Sequence, residues 1–279
     1  MNMEQTGSFM PGVAKSGAPG NDDGNYIAVL GGIETCGWYV DAPYPALLEA
    51  ASGTRCLNLA KPHAGPDAFL GDEAVLAACQ NARLTVIAVS GAHVVQNRFY
   101  AMHSRRNDRI VRQTDFLRAV YPEVDFSRHH FVRHMLGELY DRSPARFALI
   151  RDELQRNWIQ RMNLLCARTG GEVVLVWVGD RSPDDPAETV EDGDPPLVTR
   201  AMLRALRGRI RATVEVLDIS GSEAEALEGK IYGEGQEHAA LRVPGPRAHR
   251  ELGDRLAAAV KPILAELAPS VSRPVARRA

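Results

Sequence analysis

Paired cysteines are what this chain most plainly lacks: Cys36, Cys56, Cys79 and Cys166 are scattered through 279 residues, with no two at zinc-ligand or disulfide-framework spacing. Isolated thiols of this kind read as buried free side chains in a reducing compartment, and Cys36 differs only in that its loop can expose it. An excess of charge is missing too. With 33 Lys and Arg against 35 Asp and Glu the formal charge is −2, so no global field gathers nucleic acid, and DNA is not an expected partner. No apolar run approaches bilayer-spanning length, and no basic segment leads into an apolar core and cleavage site near Met1; the expectation is a cytoplasmic protein without a membrane span. There is no internal repeat. The Lys-Ser/Thr of a P-loop does not follow Gly31-Gly32, and the spacing to Gly37 is not Gly-x-Gly-x-x-Gly, so the two familiar nucleotide loops are disfavoured and no cofactor is expected.

What is present is 45% apolar content, enough for a sizeable core. The runs Tyr26–Leu30, Arg55–Leu59, Leu84–Val89, Glu172–Val178 and Thr213–Asp218 are short and β-branched or fully apolar, and helical patterns separate several of them. That alternation predicts an α/β fold, a three-layer α/β/α parallel sheet of flavodoxin-like or SGNH-like type. Pro45 suits a first helical turn and Gly53 closes that helix, so the first βαβ unit spans about residues 26–59. Between the third and fourth strands, about 109–170 reads as a helical insertion without strand character, with Ser143-Pro144 opening its long helix and Gly170-Gly171 ending it. Residues 181–196, rich in Pro and acids, read as a mobile loop and a candidate lid. The domain is thus expected over 25–268, flanked by disordered tails at 1–24 and 269–279.

Several blocks, in order, resemble a divergent member of the SGNH (GDSL-type) hydrolase-like superfamily. Leu30-Gly-Gly-Ile-Glu-Thr-Cys-Gly37 is similar to the family's first block, Gly-Asp-Ser-x-Thr-x-Gly, and Tyr44-Pro-Ala-Leu-Leu-Glu49 to the helix after it. Asn58-Leu-Ala-Lys-Pro-His-Ala-Gly65 resembles the second block with its oxyanion-hole glycine, and the strand ending Ser90-Gly-Ala-His93 resembles the third, which ends Gly-x-Asn. Residues 246–257 are similar to the final helix. The departures are as informative: Ile33 stands at the serine position, His93 at the asparagine, and Val243-Pro244 near the histidine. Isoleucine offers no nucleophile, so standard serine-esterase chemistry is not expected.

The candidate chemistry therefore rests on replacements. Thr35 is a hydroxyl in the first loop, His93 a proton shuttle at the end of the third strand, and Asp180 an acid after the fourth that can orient a histidine or close a loop. The resemblance makes the amides of Gly32 and Gly65 candidate oxyanion donors, with Gly31 beside them in the glycine-rich ligand loop. Asn97, Arg98, Arg105 and Arg106 follow His93, and arginine's planar donor fork matches phosphate, sulfate or carboxylate. The implied partner is a small anionic molecule or a glycan or lipid ligand. His130 and His134 are four apart in a helical pattern, but the Glu of His-Glu-x-x-His is missing and no metal site is expected. His249 reads as a structural residue at the start of the last helix. Three readings stay open: a hydrolase or transferase acting on a carbohydrate, lipid or small anionic ester, a catalytically inactive ligand-binding protein, and a sulfuryl or phosphoryl-group transferase.

Overall fold

The computed structural model describes residues 24–104, 106–206, 210–217 and 222–267. The two predicted tails therefore lie outside the described residues, apart from Gly24. Five strands form one parallel sheet: β1 (Tyr26–Leu30), β2 (Arg55–Asn58), β3 (Leu84–Ala88), β6 (Glu172–Gly179) and β7 (Ile210–Leu217), in the order β2-β1-β3-β6-β7. Each of β1 and β3 is buried along its whole length, which is why its sequence is a continuous apolar run instead of an alternating one. Ile27 and Val29 point into one core layer with Tyr44, Leu252 and Leu256, while Tyr26, Ala28 and Leu30 point into the other with Leu76, Trp158 and Met162. Helices α1 (Tyr44–Ser52) and α5 (Pro246–Glu266) cover the first face; α2 (Glu73–Asn81) and α4 (Pro144–Arg168) cover the second. The three-layer α/β/α architecture is the one the strand pattern predicts. Among the described residues, no helix is long and apolar enough to cross a membrane.

Local signals set the helix ends. Pro45 lies in the first turn of α1 and Gly53 caps its end at φ 69°, a left-handed conformation that glycine adopts without strain. Ser143 accepts a hydrogen bond from the Arg146 amide to open α4, and Gly170, at φ 71°, follows its end.

The predicted helical insertion is corrected at its start. Two antiparallel strands, β4 (Tyr100–His103) and β5 (Arg106–Gln113), pair before helix α3 (Val132–Arg142) and α4. β5 carries three arginines and an aspartate along eight residues, so the apolar alternation that marks a half-buried strand is missing, as is common at exposed sheet edges. His130 is corrected as well: it sits in the extended segment before α3, where its carbonyl accepts from the Ile110 amide, so it does not share a helical face with His134.

The loop 181–196 is held down, against its reading as a mobile lid. The buried Arg181 guanidinium donates to the carbonyls of Pro195, at 2.7 Å, and Val198, and lies over the Trp177 ring. Trp177 Nε1 in turn donates to the Arg181 carbonyl at 2.9 Å. One cation thus gathers both ends of the loop.

Candidate functional site

In an open parallel sheet the crevice lies where neighbouring strands send their connections to opposite faces, here between β1 and β3. The loop after β1 turns through a short helix, Ile33–Cys36, and its single charged residue, Glu34, accepts a 2.6 Å hydrogen bond from the Gly32 amide and another from Thr35 Oγ1 at 3.2 Å. Protein atoms crowd the carboxyl although part of the residue reaches solvent. That crowding, with a smaller push from the Asp194 carboxylate, raises the Glu34 pKa; hydrogen bonds from Gly32, its own backbone and Thr35 oppose the shift without cancelling it.

From the far side, α3 delivers Arg133, whose guanidinium donates to Asp194 at 3.0 Å and approaches Glu191 at 3.8 Å. His93 occupies a single helical turn after β3 (Ala92–Val94). Protein atoms crowd its ring, although part of the residue reaches solvent, and Arg133 adds a positive charge, so its pKa is pushed down to about 3. The ring is therefore neutral near pH 7, and its buried Nδ1 has no hydrogen-bond partner among the described residues. Glu34, Asp194, Arg133 and His93 thus form a linked group at the switch point: a carboxyl whose pKa is raised, an ion pair and an uncharged imidazole.

Several expected site residues are doing other things. Thr35 is fully buried, its hydroxyl 2.8 Å from Tyr44 Oη and packed against Gly31, where any side chain would overlap it. Gly31 makes room for that hydroxyl and receives the Lys61 amide on its carbonyl. The Gly32 amide is bound to Glu34, and the Gly65 amide donates to Asn107 Oδ1 at 2.9 Å, so neither expected oxyanion donor is free. Asp180 is exposed and accepts from the Asp194 amide at 2.7 Å; it closes the loop and makes no hydrogen bond to His93 among the described residues. Asn97 folds its own turn, accepting from the Phe99 and Tyr100 amides and donating to the Val95 carbonyl. Arg98 pairs with Glu153 of α4 and lies over Phe116. Arg106 is on β5, 3.7 Å from Asp108. Arg105 lies outside the described residues.

The remaining singled-out side chains are accounted for. Cys36 is no ready nucleophile, because burial and then the Glu34 carboxylate push its thiol up to about 12. All four cysteines are free. His249 Nδ1 accepts from the Tyr44 amide at 3.1 Å and its ring stacks on Tyr44, the structural role expected of it. His129 is buried with Nε2 3.1 Å from Glu138 Oε2, without the angle of a hydrogen bond. Among the described residues, no three His, Cys, Asp or Glu side chains gather as a metal site.

The sequence pointed at the loops and missed the groups. Glu34 carried a signal, as the lone charge between two glycine ends of an otherwise uncharged loop. Arg133 and Asp194 carried none, since each reaches the site from a different element far along the chain.

Fold and cluster together define an α/β protein with a polar group at a sheet switch point. The chain belongs to the family described as Domain of unknown function (DUF6473), whose family model matches residues 13–264. No curated protein and no solved structure matches it at a significant level.

Proposed function

We propose that this chain is a divergent SGNH-like hydrolase or transferase, working in the cytoplasm on a small anionic ester of carbohydrate or lipid type, with Glu34 as its acid in place of serine-based chemistry. The observation that carries this reading is the Glu34 carboxyl, kept towards its neutral form by burial and Asp194 at the switch point. A carboxylic acid with a raised pKa keeps its proton to higher pH than a free carboxyl, and can give it to a leaving oxygen as the ester bond breaks. His93, uncharged, hydrogen-bonds the substrate without taking a proton, because an imidazole with a pKa of about 3 is too weak a base near pH 7. Arg133 supplies the charge for an anionic group, exchanging Asp194 for the ligand. The four free thiols support the cytoplasmic placement.

A ligand-binding protein without turnover is the second reading, favoured by the internal satisfaction of both glycine amides. The sulfuryl or phosphoryl-transfer reading has less support, since Arg98 is committed to Glu153. The test is a panel of acetylated and phosphorylated monosaccharides and glycerol esters, with calorimetry alongside. The expected result is turnover that falls roughly 10²–10⁴-fold in E34Q, the range for a positioned acid, with weaker anion binding in R133Q. Binding of a panel member that depends on Arg133, with no turnover by the wild type, replaces the enzyme with the binding protein; turnover unchanged in E34Q removes Glu34 from the reaction.

A further inference from the structure

The loop after β2 carries a histidine that the site described above does not use. His63 adopts φ 59°, unusual for a residue with a side chain, in a turn closed by the Ala64 amide on the Lys61 carbonyl. Its Nδ1 lies 3.8 Å from Asp108 Oδ2 of β5, and Arg106 lies 3.7 Å from the same oxygen. Asp108 Oδ1 is buried and has no hydrogen-bond partner among the described residues. The backbone beneath it is fixed, because neighbouring Asn107 accepts from the Gly65 amide and donates to the His103 carbonyl. This loop belongs to the same end of the sheet as Glu34 and His93: the Lys61 amide donates to the Gly31 carbonyl, and Gly65 packs so closely on the Val94 carbonyl that no side chain fits between.

A buried carboxylate oxygen without a donor is costly and calls for a reason. The other oxygen, Oδ2, has Arg106 and His63 beside it but neither at hydrogen-bond distance; the imidazole, about a third exposed, needs to move by only about 1 Å to give Nδ1–H to Oδ2 and so engage the carboxylate. We propose that His63, positioned by Asp108, is the proton acceptor of the switch-point reaction; this rests on the reading of Glu34 as its acid. With Nδ1–H turned to Asp108, Nε2 is the ring nitrogen left with a lone pair. It takes the proton of the attacking water or acceptor hydroxyl as the new C–O bond forms, while Glu34 gives its proton to the leaving oxygen. Solvent then returns a proton to Glu34 and removes one from His63, so the cycle closes without another reactant. Asp108, Arg106 and Arg109 are the charged groups that act on the imidazole. Burial and the two arginines hold its pKa down against Asp108, which leaves it unprotonated and able to accept near pH 7.

Nitrogen-15 NMR of the histidine rings in the full chain tests this without a substrate. The expected result is that neutral His63 carries its proton on Nδ1 in the wild type, and that D108N both shifts the proton towards Nε2 and lowers the proton affinity of His63 roughly tenfold, the size expected for removing a close opposite charge. E34Q should leave the His63 tautomer unchanged. A wild-type His63 with its proton on Nε2 overturns the proposal whether or not D108N folds, and so does a D108N ring that titrates and tautomerises as in the wild type. The dyad and the reaction fail separately: an Nδ1–H His63 in a protein that turns over none of the panel esters rejects the reaction, whereas panel turnover that is normal in H63Q rejects His63 as its base.

Discussion

Glu34 gives the sharpest prediction, because its environment ties proton binding to stability. In the unfolded chain the carboxyl ionises around its usual 4.5; in the folded protein burial and the nearby Asp194 charge raise that value. Between the two pKa values the folded state keeps a proton that the unfolded state has lost. Stability contributed by this group is therefore fully present below 4.5 and declines as pH rises through the folded pKa, by at most about 1.4 kcal/mol per pH unit for one proton. E34Q removes the titration but keeps an oxygen that can accept from Gly32, so it should gain on the wild type as pH rises. Urea unfolding of both proteins from pH 4 to 8 measures the difference. The expected curves diverge from about pH 4.5 upward and become parallel once Glu34 ionises in the folded state. Curves that stay parallel over the whole range would show that Glu34 titrates like an exposed carboxyl, which refutes its role as a resident acid.

The histidines should act in the opposite direction. His249, held neutral with a pKa of about 4, contributes stability that is present above 6.5 and is lost as pH falls towards 4; H249Q should flatten that limb by up to about 1.4 kcal/mol per pH unit, as measured by urea unfolding between pH 4 and 7. Gly65→Ala drives a methyl group into the Val94 carbonyl and should cost about 1–3 kcal/mol by the same assay, a figure that an unchanged midpoint would contradict. Asn107→Ala strands the Gly65 amide inside the protein and should cost about 1–3 kcal/mol, whereas N107D, which keeps an acceptor, should recover part of it.

The sequence alone determined the sheet and its layers. Continuous apolar runs such as Tyr26–Leu30 and Leu84–Ala88 have one economical fate, burial on both faces, and Pro45, Gly53 and Ser143 are local signals that act within a few residues. It also pointed to one end of that sheet, because the ends of such strands are where connecting loops meet. The β4–β5 pair escaped because its charged edge strand lacks the alternation that betrays a half-buried one. Which side chains meet at that end of the sheet was a tertiary decision. The Thr35 hydroxyl went to Tyr44, the Asp180 carboxylate and the Asn97 carboxamide oxygen to backbone amides, and Arg98 to Glu153, while Arg133, Asp194 and the His63–Asp108 pair arrived from separate elements. Hydrogen-bond partnership and burial set whether a polar group is spent on the fold or left for chemistry, and both depend on residues far apart in the chain that meet only when it is folded.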